Sequence, residues 1–564
     1  MNGALLLVIA GLVFLLGYFF YSRLLARKLG VDPSIPTPAH TKKDGVDFIP
    51  AHPTVLFGHH FAAIAGAGPI VGPVLAAEFG WASVALWIVL GCVFIGAAHD
   101  MISLFLSVRH GGESIGSVIG TILGRPGKIL FLLFSWSALV LVVSEFTRQI
   151  AGTFVADPAI ATASLLFIGE AIVFGLCVNK WKMSVLWTSL VFVPLMFAFV
   201  WIGNVYPLDL TKWGFAPESV RMIWTIVLLV YCFFASTCPV WILLQPRDYL
   251  NAYLLYAMMS LGFIGVFVAH PPLQLEAFTG FVGEGKFGEQ LLFPLLFVTV
   301  ACGACSGFHA LVASGTSAKQ LDSEKGIRPI AYGGMLLEGV LAIIALIGVA
   351  GTYASQKDYV SAIQGMEPVQ MFASTIAGFC VKFFTTIGLS AETGKRIAES
   401  FMLLSVSAFL MTTVDAGTRL ARFSWQELVG SLPGNGRAKA VAHNMYFGTL
   451  VVVLLAAGLL LGATETSKQL WTIFASANQL LAALTLLAAT LWFVKNRKPC
   501  WMTAIPMVFM MGVSSIALGM LLWKSFAGER IDWVKGGATG FLLTLAVVLV
   551  VFAVRASSGL GKKS

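Results

Sequence analysis

The chain has 564 residues, of which 58% are hydrophobic and only 11% charged, with a net charge of +9. Soluble domains are nearer one quarter charged, and apolar runs of about 20 residues recur along the whole length, so a soluble globular protein is excluded. There is no basic tract interleaved with aromatics, hence no nucleic-acid surface. The eight cysteines lie mostly in apolar runs and read as small apolar residues, not as a disulfide framework.

Taken in chain order, the first apolar run, 3–24, is followed by Arg23, Arg27 and Lys28. Basic residues after the run rather than before it predict a retained first span, with the N-terminus outside and its basic flank in the cytoplasm. Further spans are predicted near 54–79, 82–108, 127–152, 159–178, 183–204, 221–245, 252–270, 290–316, 332–353, 397–415, 441–462, 468–494, 501–524 and 537–556. That makes about 15 transmembrane helices, an all-α integral membrane protein with a cytoplasmic C-terminus. Segment 368–390 carries Lys382 and small polar residues, and is read as re-entrant or amphipathic. With that choice 24 of the 36 Lys and Arg fall on the cytoplasmic side, as the positive-inside rule requires. No connection is long enough to fold as an enzyme domain.

The span at 54–79 contains GAGPIVGP, Gly66 to Pro73. Pro69 and Pro73 lack N–H donors and clash with the preceding turn, while Gly66, Gly68 and Gly72 permit unusual backbone. Non-helical backbone survives at membrane depth only where protein buries it or a cavity meets it. A discontinuous helix of the kind that holds substrate in secondary transporters is therefore expected. A second interruption is read at Ser236, Thr237, Cys238 and Pro239, five spans later. Two five-helix units of opposite orientation, each opening on a broken helix, form a 5+5 inverted-repeat core. The expected organisation is 1–53 as an extra span and linker, 54–204 and 205–415 as the repeats, and 416–564 as four additional spans.

A third stretch, ACGACSGFHALVASGTSAKQL (301–321), is rich in small residues and hydroxyls. Ser306, Ser314, Thr316 and Ser317 could supply oxygens to a coupling cation, or could bond their own backbone. The Cys302–Cys305 spacing has no partner pair and is read as packing, so no metal and no cofactor is expected.

Ionisable residues inside spans are costly and are usually functional or paired. Glu145 and Arg148 are spaced as a local ion pair, as are Asp415 and Arg419. Asp100, Glu170 and Glu338 are candidate proton carriers. His59, His60 and His309 are candidates too, since imidazole titrates near physiological pH.

Five long stretches resemble the carbon starvation protein family, CstA: GHHFAAIAGAGPIVGPVLAAEFGW (58–81), LLQPRDYLNAYLL (243–255), 301–321, TTVDAGTRLARF (412–423) and LWTIFASANQLLAALTLL (470–487). The resemblance covers nearly the whole chain, which is shorter than the longer members after Glu338 and after the last span. It implies a bacterial inner-membrane transporter of the amino acid–polyamine–organocation superfamily, with a LeuT-like inverted repeat. It also implies uptake of pyruvate or short peptides under nutrient limitation, coupled to protons. Physics then selects the residues. His60, Gly66, Ala67, Gly68, Ile70, Ser236, Thr237, Cys238, Ser306 and His309 are expected to line the substrate site. Asp100, Glu170, His309, Ser314, Thr316 and Glu338 are expected to carry the coupling ion, and Arg247 with Asp248 to form an inner gate. The alternatives are a sodium-coupled amino acid or peptide transporter, and a nutrient sensor acting through a separate signalling partner. Beyond cargo, coupling ion and lipid bilayer, no feature specifies a partner or an oligomeric state.

Overall fold

A computed structural model describes residues 1–44, 47–434, 436–462, 469–527 and 531–560. Residue 468, where a span is expected to begin, and the C-terminal residues 561–564 lie outside the described residues. Among the described residues, thirteen helices are long and apolar enough to cross a membrane, or fifteen with two bent pairs counted as one span each. They are α1 (Gly3–Leu29), the bent pair α2a (Pro53–Ile64) and α2b (Gly68–Phe79), α3 (Trp81–Arg109), α4 (Ile115–Ala156), α5 (Pro158–Lys180), α6 (Val185–Val205), α7 (Pro217–Thr237), α8 (Leu244–Ala269), α9 (Leu292–Gln320) and α10 (Glu324–Thr352). Two helices that are not among these candidates follow, α11 (Gln356–Gly365) and α12 (Pro368–Thr386). The chain continues with α13 (Ala391–Ser431), the bent pair α14 (Arg437–His443 and Met445–Leu461), α15 (Leu470–Lys495), α16 (Trp501–Ala527) and α17 (Trp533–Arg555).

The expected break in the second span is present. Helix α2a ends at Ala65, and α2b starts at Gly68 with Pro69 in its first turn, where a missing N–H costs nothing; the halves are bent by 43°. The second break is not where it was expected. Helix α7 runs without interruption and ends at Thr237, so Pro239 lies in the loop before α8 rather than within a span. The interrupted helix is α9. Its first part ends at Val300, Ala301 takes φ +44°, Ala301–Gly303 form a 3-10 turn, Ser306 is extended, and the helix restarts at Gly307.

Small residues let the two breaks meet. A Cβ on Gly68 would lie 2.4 Å from Cys302 Cβ, and one on Gly72 would lie 2.3 Å from the Val300 carbonyl oxygen. Around them α4 packs along α13, α15 backs both α4 and α9, and α10 packs on α2b.

Lys128 and Lys319 share one basin at an end of the bundle where Arg109 pairs with Glu324 and Arg328 bonds Ser22 of α1; this is the basic end. The other carries a β-hairpin, β1 (Val282–Gly285) paired with β2 (Gly288–Leu291). The hairpin sits against the end of α2b, so closely that a Cβ on Gly285 would lie 1.9 Å from Glu78 Oε2. Segment 368–390 forms helix α12, which packs on α13 and α8 and is not among the candidate spans.

Candidate functional site

The breaks enclose a cavity of about 10 Å³ lined by Gly66, Gly68, Phe146, Cys302, Phe308 and Thr413. Of the residues expected at the substrate site, Gly66 and Gly68 line this cavity, and Ala67 and Ile70 are buried beside them. A wider basin of about 450 Å³ opens at the basic end, lined by Lys128, Lys319, Glu113 and Glu427 and reaching Leu311 and Ser314 of α9.

Cys302 ties the cavity wall to a buried ionic chain. Asp100 of α3 places Oδ1 2.8 Å from His99 Nδ1 and Oδ2 2.7 Å from His309 Nδ1. An ionised carboxylate only accepts, so His309 Nδ1 carries the donated proton and Nε2 faces Glu338 Oε2 of α10 at 3.4 Å. The side chains of all four residues are fully excluded from solvent. The break in α9 makes this geometry. Where the chain leaves helical form at 301–306, the α9 backbone approaches α3 so closely that a Cβ on Gly96 would meet the Ala304 carbonyl oxygen at 2.3 Å. Asn478 of α15 satisfies the freed backbone: its Oδ1 accepts from Phe308 N at 2.9 Å, and its Nδ2 donates to Ser306 Oγ at 3.0 Å and to Cys302 Sγ at 3.4 Å.

Asp100, His309, Glu338 and Ser306 therefore converge. His60 sits one layer away and bonds Ser317 Oγ through Nδ1 at 2.8 Å. Ser314 and Thr316 donate to Ala310 O and Val312 O of their own helix, at 2.7 and 2.9 Å. Glu170 of α5 is buried without a hydrogen-bond partner and is not joined to this chain. Ser236, Thr237 and Cys238 are elsewhere, at the end of α7. Ser236 Oγ lies 3.3 Å from Thr449 Oγ1 of α14, and Thr237 bonds Phe233 O.

The gate residues do not pair with each other. Arg247 of α8 forms a buried ion pair with Asp415 of α13, and both contact the Tyr231 hydroxyl. Asp248 instead lies 3.3 Å from His59 Nδ1, which links α8 to α2a. Arg419, expected on Asp415, donates to the carbonyls of Ala235 and Cys238 at 3.0 and 2.6 Å, capping the end of α7. The Glu145–Arg148 pair is present at 2.8 Å.

At the hairpin end Glu367 is surrounded by Arg148 at 3.5 Å, Lys286 at 3.6 Å and Arg221 at 3.8 Å. Burial alone would raise the Glu367 carboxyl, but these three cations hold it below the usual carboxylate range. Lys286 Nζ also donates to Met366 O at 2.8 Å, which fastens the hairpin to the turn before α12.

Sequence reasoning missed Cys302, Asn478, Asp415 and Tyr231 as parts of these networks. The only signal was the small-residue run 301–307, which marks backbone approach but names no partner.

The family model described as "Carbon starvation protein CstA" matches residues 2–362 and 351–517. The chain belongs to the carbon starvation protein CstA family. A peptide transporter CstA from Escherichia coli (strain K12) is 32% identical, over 90% of this chain and 80% of that protein. The pyruvate/proton symporter BtsT of the same strain is 32% identical, over 93% and 82%. A peptide transporter CstA from Bacillus subtilis (strain 168) is 30% identical, over 98% and 97%. Among solved structures, MhsT in complex with L-phenylalanine aligns over 90% of this chain and 98% of that one, at 12% identity and a TM-score of 0.47. This CstA-family chain is thus a multi-pass membrane transporter that moves a small molecule.

Proposed function

We propose that this chain is a proton-coupled importer of a small carboxylate, with pyruvate the first candidate, in a bacterial inner membrane. The basic end faces the cytoplasm in this reading, as the Lys and Arg bias requires. The N-terminus of α1 and the hairpin are then outside. In this reading one repeat is α2, α3, α4, α7 and α8, and the other is α9, α10, α13, α14 and α15. Helices α5 and α6 are then an inserted hairpin, and α11–α12 a connection folded over the outer end. The two breaks then occupy equivalent positions in opposite orientation, as in inverted-repeat transporters.

The observation that carries the reading is the Asp100–His309–Glu338 chain beside the cavity at Gly68 and Cys302. An imidazole between two carboxylates is a proton exchanger, and here it sits on the helix whose backbone is interrupted. Adding or removing one proton changes the charge of a fully buried site, which backbone at 301–306 is free to answer. The cavity lining has no fixed charge, so a carboxylate would be held by backbone amides at Gly68 and Gly307, where half-helices begin. Short peptides are the second reading, supported by the names of the relatives.

The test is uptake into proteoliposomes of labelled pyruvate and of di- and tripeptides, under imposed proton or sodium gradients. Acidifying the outside is expected to accelerate pyruvate uptake in wild type. Glu338→Gln is expected to keep exchange of labelled for unlabelled substrate while losing gradient-driven accumulation. Uptake indifferent to the proton gradient, or gradient-driven accumulation intact in Glu338→Gln, would overturn the assignment.

A further inference from the structure

Three side chains meet where the break of α9 faces α10. Cys302 Sγ, an imidazole nitrogen of His309 and a carboxylate oxygen of Glu338 all lie within 4.8 Å of one another, and all three residues are buried. Ligand atoms on a tetrahedral zinc ion are about 3.3–3.8 Å apart, given bonds of about 2.0–2.3 Å. The His309 Nε2 to Glu338 Oε2 separation of 3.4 Å already falls in that range. Neither His309 Nε2 nor either Glu338 oxygen makes a hydrogen bond within the protein. Such atoms are expensive to bury unless something joins them.

The surroundings fit an ion as well. The remaining nitrogen of His309 is bonded to Asp100 Oδ2 at 2.7 Å, the carboxylate–histidine arrangement that fixes the tautomer and aims Nε2 at a metal. Cys302 Sγ accepts from Asn478 Nδ2 at 3.4 Å, a donor that stabilises a thiolate. Both outer contacts point the ligand atoms toward the same gap. Thiolate, carboxylate and neutral imidazole sum to two negative charges, which a divalent cation offsets; the Asp100 carboxylate behind His309 leaves the cluster with one negative charge, against three without the ion.

The geometry points to a buried binding site for a thiophilic divalent cation of the zinc class, held by Cys302, His309 and Glu338. Binding forms three metal–ligand bonds and displaces the thiol proton of Cys302, which leaves to solvent, together with any proton on Glu338. The ion staples the interrupted stretch of α9 to α10 and fixes the break. It shares two groups with the proton reading but does not rest on it: metal and proton occupancy exclude each other, so a filled site would arrest the carrier.

The test uses the full-length chain purified in detergent from cells grown with added zinc, with elemental analysis and with cobalt substitution followed by absorption. Wild type is expected to retain one zinc per chain and, with Co²⁺, to show a sulfur-to-metal charge-transfer band. Cys302→Ser and Glu338→Gln are expected to bind at least about tenfold more weakly, and Asn478→Ala about tenfold more weakly. Cys305→Ser, which removes a thiol outside the trio, is expected to match wild type. Where a variant does not purify as a single species, the X-ray absorption shell of wild type decides between one sulfur with nitrogen and oxygen, and oxygen alone. Wild type without zinc, cobalt spectra lacking the sulfur band, or equal retention in Cys302→Ser would overturn the site. Pyruvate uptake measured in chelator-treated vesicles separates that failure from failure of the transport reading.

Discussion

Changing Gly72 to Ala tests whether the two broken helices touch through backbone. The three atoms nearest an added Cβ are Val300 O at 2.3 Å, Val300 C at 2.8 Å and Thr299 O at 2.9 Å, all main chain. No side-chain rotation can clear them. Against an ordinary spacing of roughly 3.5 Å, the shortfall is about 1 Å, and it must be met by moving α2b away from the end of the first part of α9. Overpacking of this kind costs about 1–3 kcal/mol. Gly169→Ala is the matched control, since nothing lies within 4 Å of its added Cβ on α5. There the same methyl is expected to be neutral or to stabilise by up to about 1 kcal/mol. Thermal unfolding in detergent at a fixed heating rate should place Gly72→Ala a few degrees below wild type and Gly169→Ala at or above it. Pyruvate uptake should fall in the first and persist in the second. Equal stability and uptake in the two variants would refute the close approach of the breaks.

Replacing Asp415 with Asn leaves Arg247 buried without its counter-charge and is expected to destabilise the protein by about 3–5 kcal/mol. The double variant Asp415→Asn with Arg247→Gln should recover a large part of that loss, as read by melting temperature. Glu170 stands apart from the Asp100–His309–Glu338 chain, so Glu170→Gln should retain proton-driven accumulation that Glu338→Gln loses. The folded-state pKa of Glu367 is depressed, so the stability it lends is present above the ordinary carboxylate value of about 4.3 and is lost as pH falls through the lower, folded value. Protection of the amides in residues 282–291, taken relative to intrinsic exchange at each pH, should therefore be unchanged between pH 7 and 5 and fall in strongly acidic buffer. Glu367→Gln should remove that transition.

The break of α2 was legible because Gly and Pro act on their own backbone: Pro69 suits the first turn of a new helix and Gly66 and Gly68 flank the gap, whereas Pro73, also expected to interrupt, is accommodated inside α2b. The Glu145–Arg148 pair was legible for a similar reason, being set by helical spacing. The break of α9 was not. It is made by Ala301 and Ser306, which have no intrinsic preference for interruption, and tertiary packing against Gly68, Gly96 and Asn478 compels it. The hydroxyl–proline cluster at 236–239 mimicked a mid-span break because composition does not distinguish a helix end from a helix interruption. Partners distant in sequence were equally hidden. Asp415 has Arg419 at ion-pair spacing, yet takes Arg247, which lies 168 residues away. Glu338 meets His309 only because α9 and α10 pack together.

The chamber between the breaks, at about 10 Å³, is about the space one water molecule requires. Even a three-carbon acid can enter only after the helix halves have separated. Where that opening is the slow step, turnover is set by the protein rather than by diffusion of cargo or the strength of its binding. Cargoes of different affinity should share nearly the same maximal velocity, and that velocity should depend steeply on temperature, because each passage breaks and remakes the same backbone-to-backbone packing.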